Sequence, residues 1–305
     1  MSTSRFIKDR GLTFRMGLTV FLNGLIYVVL ILAIWWILGQ STAGVIGALI
    51  ISAGLFFFQW YFSDTIALKS MRARVVSPEE APELHVMVDR LCQLADSTKP
   101  RVAYSDSPVP NAFATGRSPS HSVVCVTRGL LEQLEPAEVE AVLAHELSHV
   151  AHRDVTVMTV AGVTGVIAGL MMRSFLYVGG GRGRGNSNTG GIPIQLAMVL
   201  VGVVVYALSF VLIRVLSRYR ELAADRAAAY LTGSPSTLAS ALTKISGEMG
   251  RIPAQDLRAS TGANHLALIP AANGRDVVQF LSTHPSLEQR LAQLQRISQE
   301  LSRPM

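Results

Sequence analysis

The chain has 305 residues, 50% of them apolar and 16% charged, with a formal net charge of +6 and a sequence pI near 9.6. So few charges (an average soluble domain carries about 25%), with a mean hydropathy of +0.36, exclude a disordered chain, a collagen-like chain and an ordinary soluble enzyme. The basic excess is not a nucleic-acid footprint, because it is split into segments of +3 (1–15), −4 (64–154), +3 (173–191) and +4 (214–305), with no dense basic patch among aromatics.

From Met16 to Ser63 there is no Asp, Glu, Lys or Arg. That run is too long for one span of about 20 residues. Gly39-Gln40-Ser41-Thr42 divides it, so helices are predicted at 17–38 and 43–62. Trp35, Trp36, Trp60 and Tyr61 fall near their ends, where amphipathic rings favour the headgroup zone. The run also exceeds the short apolar core of a cleaved signal peptide. Next, Ser77-Pro78-Glu79-Glu80 signals a helix start, and Leu84, Met87, Val88, Leu91 and Leu94 give 81–95 a helical period. Residues 101–104 read as a short strand. Segments 111–115 and 123–127 read as a hairpin-like strand pair, and 130–134 as a short helix. Pro136 opens a helix running to about His152.

Two more charge-free stretches follow, 155–172 and 192–213, separated by the Gly/Arg-rich segment 179–191. They are predicted as a second membrane hairpin; a buried hairpin in a soluble core and a hairpin that only dips into the bilayer are the alternatives. The final helix is predicted at 287–301. The fold expected is therefore a mainly α integral membrane protein. Four transmembrane helices accompany an α+β domain with a small β-sheet, organised as 1–63, 64–154, 155–213 and 214–305, with the two polar blocks folding together. With four spans, Arg5, Lys8, Arg10 and Arg15, then Lys69, Arg72 and Arg74, then Arg214, Arg218 and Arg220 fall on one side. By the positive-inside rule both termini and the two polar blocks are cytoplasmic. Arg182 and Arg184 count against that pattern. Cys92 and Cys125, in no CxxC pair, suggest neither a disulfide nor a metal site.

The predicted helix at 136–152 carries His145-Glu146-Leu147-Ser148-His149. Histidines at i and i+4 share a helix face and can grip one zinc ion, with Glu146 beside them as general base for a water. A catalytic zinc takes a third protein ligand and keeps one open position. Glu221 completes a His₂Glu set, and Asp225, one turn on, can hydrogen-bond the far nitrogen of a ligand imidazole and fix its tautomer. Ala141, Ala144 and Ser148 leave room for close packing. The helix ends where the third predicted span begins, so the site is expected close to the bilayer.

Taken together, these residues resemble the HtpX-type membrane zinc metallopeptidases, in the wider group that includes the CAAX prenyl endopeptidases. The resemblance covers nearly the whole chain. It rests on the N-terminal spans, Asn111-Ala112-Phe113-Ala114-Thr115-Gly116, the HELSH motif, the second hairpin, Arg220-Glu221-Leu222-Ala223-Ala224-Asp225, and Thr283-His284-Pro285 with Arg290. It implies a zincin-like domain and one zinc ion on His145, His149 and Glu221, with Glu146 as base. It also implies that Asn111, Ala112 and Phe113 form an edge strand beside the cleft, where substrate adds in extended form. His284 has two readings, a cleft histidine helping an oxyanion and a helix-entry residue before Pro285. The segment 179–191 is not a family feature.

The activity expected is zinc-dependent endopeptidase cleavage of membrane or misfolded proteins in quality control, in the bacterial inner membrane. The partners are protein or peptide substrates and the lipid bilayer, with no nucleic acid. A CAAX-type prenyl-protein endopeptidase is the alternative within enzymes, disfavoured by only four predicted spans. A zinc-stabilised scaffold needs no base such as Glu146, and a transporter needs ionisable residues inside its spans, which these lack. Arg290 is expected to pair with an acid and hold the final helix; Tyr219 and Arg220 are left open. His152, with Asp154, is expected at a helix C-terminus, and His85, His121 and His265 at the surface or in packing.

Overall fold

The computed structural model describes residues 10–37, 42–153, 157–158, 194–249 and 285–302. Most of the helix predicted at 155–172, the segment 179–191, Asp154, His265 and His284 lie outside these residues. The chain divides into two compact bodies, one of Thr13–Trp60 and Val157–Leu216, the other of Met1–Leu12, Tyr61–Thr156 and Ser217–Met305.

Among the described residues the first body is built from α1 (Arg10–Ile37), α2 (Thr42–Tyr61) and the first part of a long helix, Ile194–Thr232, called α7 below. α1 begins earlier than predicted, because Arg10 and Arg15 are good helix formers; a charge marks where a helix leaves an apolar layer, not where it starts. No proline interrupts α7, so the predicted span at 192–213 and the segment bearing Glu221 and Asp225 are one helix. Four spans were predicted; among the described residues two stretches, Arg10–Val29 and Leu200–Thr232, are long and apolar enough to cross a membrane. The outer faces are apolar, as at Phe21, Ile50, Phe57 and Val204, whereas Thr19, Asn23 and Ser209 are buried.

The second body starts with α3 (Ser63–Ser70) and β1 (Ala73–Val75), too short to show a period and not predicted. There follow α4 (Pro82–Ala95), β2 (Arg101–Ser105), β3 (Ala112–Ser118), β4 (His121–Thr127), α5 (Arg128–Gln133) and α6 (Pro136–Ala151). After α7 come α8 (Pro235–Met249) and α9 (Leu287–Leu301). The sheet order is β1-β2-β4-β3, with β2 and β4 parallel and the other neighbours antiparallel. β3 is therefore an edge strand.

The β3–β4 hairpin runs further into its turn than predicted, through an irregularity between Gly116 and Ser118. Gly116 has φ 143°, and a Cβ there would meet the His121 carbonyl oxygen at 2.2 Å, so only glycine closes this turn. Strand alternation gives the sheet two faces. Val102, Ala112, Ala114, Val124 and Val126 join the main core with α4, α6, the end of α7, α8 and α9. Ala103, Phe113, Val123 and Cys125 pack with Ala67 of α3 on the other. α8 was not predicted, although Leu238, Ala241, Leu242 and Ile245 are spaced for one helix face and are fully buried.

Candidate active site

α6 is started by its sequence: Pro136 sits in its first turn, and Glu135 and Glu138 form a reciprocal capping box. Glu138 also accepts from Ser240 Oγ at 2.6 Å and Lys244 Nζ at 2.7 Å, tying the helix start to α8. From Ala141 to Val150 every residue is buried. This is what puts His145, Glu146 and His149 inside, rather than on an amphipathic surface. The two imidazoles lie 4.9 Å apart between ring centroids, at 89°.

Glu221 of α7 meets both rings. Its Oε2 is 3.5 Å from His145 Nε2 and its Oε1 is 3.5 Å from His149 Nε2. One donor atom from each of the three residues lies within 4.8 Å of the others, and all three residues are buried. Among the described residues His145 Nε2 has no hydrogen-bond partner. Its other nitrogen, Nδ1, lies 2.9 Å from Asp225 Oδ1. On the far side of Asp225 stands Arg290, whose Nη2 and Nε donate to the two carboxylate oxygens at 2.6 and 2.7 Å. The acid that Arg290 pairs with is therefore the one placed behind His145.

Glu146 is held by the sheet. The backbone amide of Ala114 donates to its Oε2 at 3.0 Å. No side-chain pattern announces such a contact, because every residue but proline has an amide and only strand register decides which one points outward. Arg220 Nη2 lies 3.4 Å from His149 Nδ1, which gives that residue a position beside the site.

The site's charges act strongly on one another. Burial alone would favour a neutral His145 ring, but Asp225 and Glu221 outweigh it and carry its pKa to about 9. Burial pushes the Glu146 carboxyl up to about 7, with His145 opposing and Glu221 adding. Asp225 stays below its ordinary value in spite of burial, because Arg290 and His145 hold it ionised.

The other predicted residues are placed as follows. The Asn111 amide donates to Thr127 Oγ1 at 2.8 Å and its carbonyl accepts from Thr127 N at 3.0 Å, so its backbone closes onto β4. Ala112 lies on the face of β3 that also carries Ala114. Phe113 points the other way, into the layer with α3, so its side chain is turned from Glu146. A small cleft opens between Gly116, Ser118 and Ser122 of the β3–β4 hairpin and His149, Val150 and Arg153 at the end of α6. His152 caps α6 and donates from Nδ1 to the Ser148 carbonyl at 2.8 Å. His85 is buried and donates to the Val76 carbonyl at 3.1 Å, a packing role, whereas His121 is exposed beside Ser118 and Ser120.

Comparison with known proteins gives the chain a family. The model of peptidase family M48 matches residues 78–298. The chain belongs to that family. It is 56% identical over 300 residues to protease HtpX homolog 1 of Streptomyces coelicolor, covering 98% of this chain and 96% of that one. It is 52% identical over 293 residues to the protease HtpX homolog of Moorella thermoacetica, covering 96% of each. Among solved structures, that of Ste24p from S. mikatae is similar in fold, with a TM-score of 0.50 at 18% identity, over 91% of this chain and 63% of that one. The family and the apolar helices together make this chain a membrane-anchored metalloprotease.

Proposed function

We propose that the chain is a zinc-dependent endopeptidase that hydrolyses peptide bonds of membrane or misfolded proteins. It would do so from the cytoplasmic face of a bacterial inner membrane, anchored by four spans with both termini cytoplasmic. The observation that carries the reading is the convergence of His145, His149 and Glu221, with Glu146 beside them held by the Ala114 amide. Ligands at about 2.0–2.2 Å from a tetrahedral zinc stand roughly 3.3–3.6 Å from one another. The two imidazole–carboxylate separations, 3.5 Å from His145 to one Glu221 oxygen and 3.5 Å from His149 to the other, fall in that range. The chemistry of the donors, two imidazole nitrogens and a carboxylate, also suits zinc. A buried His145 Nε2 without a hydrogen-bond partner among the described residues is the atom such an ion would engage.

Zinc bound by His145, His149 and Glu221 would supply a Lewis acid to acidify a water and polarise the scissile carbonyl. The residues do the rest. His145, His149 and Glu221 would hold the ion. Asp225 fixes His145 with its proton on Nδ1, so that Nε2 offers its lone pair. Glu146 takes the water proton and passes it to the leaving amine, and the Ala114 amide keeps its carboxylate aimed. Binding at the edge of β3 suits an extended substrate and weak side-chain selectivity, which is what unfolded targets require; Asn111, whose backbone amide and carbonyl are both spent on β4, anchors that edge, with Ala112 and Phe113 following it. His284 is assigned to the developing oxyanion on family resemblance.

The test is zinc analysis of the purified protein together with a casein-type proteolysis assay. Glu146→Gln is expected to retain zinc and lose activity by about 10²–10⁴-fold, the usual worth of a general base. A Glu146→Gln variant as active as wild type would remove Glu146 from the reaction, and a wild-type protein without zinc would remove the cofactor.

A further inference from the structure

Side-chain hydrogen bonds join α9 to the part of α7 that carries Glu221 and Asp225. Gln293 Nε2 donates to the Leu222 carbonyl at 2.7 Å, Tyr230 Oη donates to Glu300 Oε2 at 2.5 Å, and Arg290 closes on Asp225 with two hydrogen bonds. The first two are ordinary inter-helix contacts. The third is different, because both partners are almost completely buried, Asp225 at 0% and Arg290 at 2% exposure. A planar guanidinium that donates to both oxygens leaves a carboxylate no rotational freedom, which a single hydrogen bond or a lysine ammonium cannot achieve. The Asp225 Oδ1 so fixed is the atom 2.9 Å from His145 Nδ1. Arg290 Nη1 also lies 3.9 Å from Glu221 Oε2.

We infer that Arg290 is a positioning residue for the metal site. Through Asp225 it sets the ring plane and tautomer of His145, so that α9, which contributes no ligand, determines how tightly the ion is held. The inference rests on the zinc reading above. Groups behind a ligand imidazole contribute about 10–100-fold to metal affinity. Arg290 acts one bond further out but fixes both oxygens of the intermediate acid, so an effect within that range is expected.

The experiment uses the full-length protein in detergent and measures zinc affinity by chelator competition for Arg290→Lys, Arg290→Gln, Asp225→Asn and the double variant Asp225→Asn/Arg290→Gln. Cobalt(II) substitution supplies a visible spectrum that reports ligand geometry. Both Arg290 variants are expected to weaken zinc by about 10–100-fold and to shift the cobalt bands. Arg290→Gln should add little once Asp225 is Asn, since a residue acting through Asp225 has nothing left to act on. Gln293→Ala, which cuts a purely structural tie between the same helices, should lower thermal stability and leave zinc affinity within about twofold. Affinities of the Arg290 variants within twofold of wild type would overturn the inference. So would equal weakening by Gln293→Ala, or full additivity in the double variant. In each of these cases wild type and Gln293→Ala still bind zinc and the zinc reading stands; a wild-type chain that binds none overturns both.

Discussion

The two bodies of this protein are sorted in opposite senses. In the body that carries the site, apolar side chains such as Val88, Leu91, Leu143 and Leu242 are fully buried. In the helical body Phe21 and Ile50 are each 67% exposed, while Thr19, Asn23 and Ser209 are turned inward. Asn23 even spends its side-chain amide on the Thr19 carbonyl of its own helix, at 3.0 Å. The difference shows that one chain is written for two solvents. Where water is outside, the hydrophobic effect gathers apolar groups. Where lipid is outside, apolar groups face out freely and polar groups seek protein partners.

Substitutions test that contrast. The largest stability loss is expected in the water-facing body: Leu242→Ala, in a fully buried position of α8, should cost about 2–5 kcal/mol in thermal or denaturant unfolding. Next comes Val28→Arg on the exposed face of α1, which should cost about 2.5–3.5 kcal/mol in membrane insertion, read as loss of protein from the alkali-resistant membrane fraction. Val86→Arg, at a similarly exposed site on α4, should stay within about 0.5 kcal/mol of wild type. If these two arginines behave alike, the exposed apolar face of α1 does not meet lipid and the contrast collapses.

A smaller effect is expected at Glu138. Burial works against its ionised form, but hydrogen bonds from Lys244 and Ser240 outweigh this and hold its carboxyl below the usual range. A group depressed in the folded state stabilises above its unfolded pKa of about 4.3, and the benefit is lost as pH falls through the folded value. Glu138→Gln should therefore lower stability by about 1 kcal/mol near neutral pH, since Lys244 is 40% exposed and screened. The gap should close in acid, and melting curves of both proteins against pH check it. The smallest change is Leu25→Ala, on the exposed face of α1, expected within about 0.5 kcal/mol in detergent.

Much of the site is legible in the chain because its parts repeat at helical spacing. His145 and His149 are one turn apart, and so are Glu221 and Asp225, so each pair shares a helix face whatever the rest of the fold does. Arg290 was legible as a partner for some acid. Which acid was not, since Asp225 lies 65 residues away and no local period connects them. The short α3 and β1 carry too few residues to show a period. α8 showed one, at Leu238, Ala241, Leu242 and Ile245, and could have been read.

By itself, then, the sequence determined the apolar helices, the spacing of the side chains proposed as metal ligands and the alternation of the strands, all consequences of local geometry and of which residues avoid water. Tertiary structure alone decided which face of β3 meets the site. It turned the Ala114 amide to Glu146 and sent the Phe113 side chain into the layer with α3. It also decided that Arg290, on the last helix, stands behind a residue of the HELSH motif. Those choices depend on register and on long-range packing, where groups far apart in the chain compete for the same buried position.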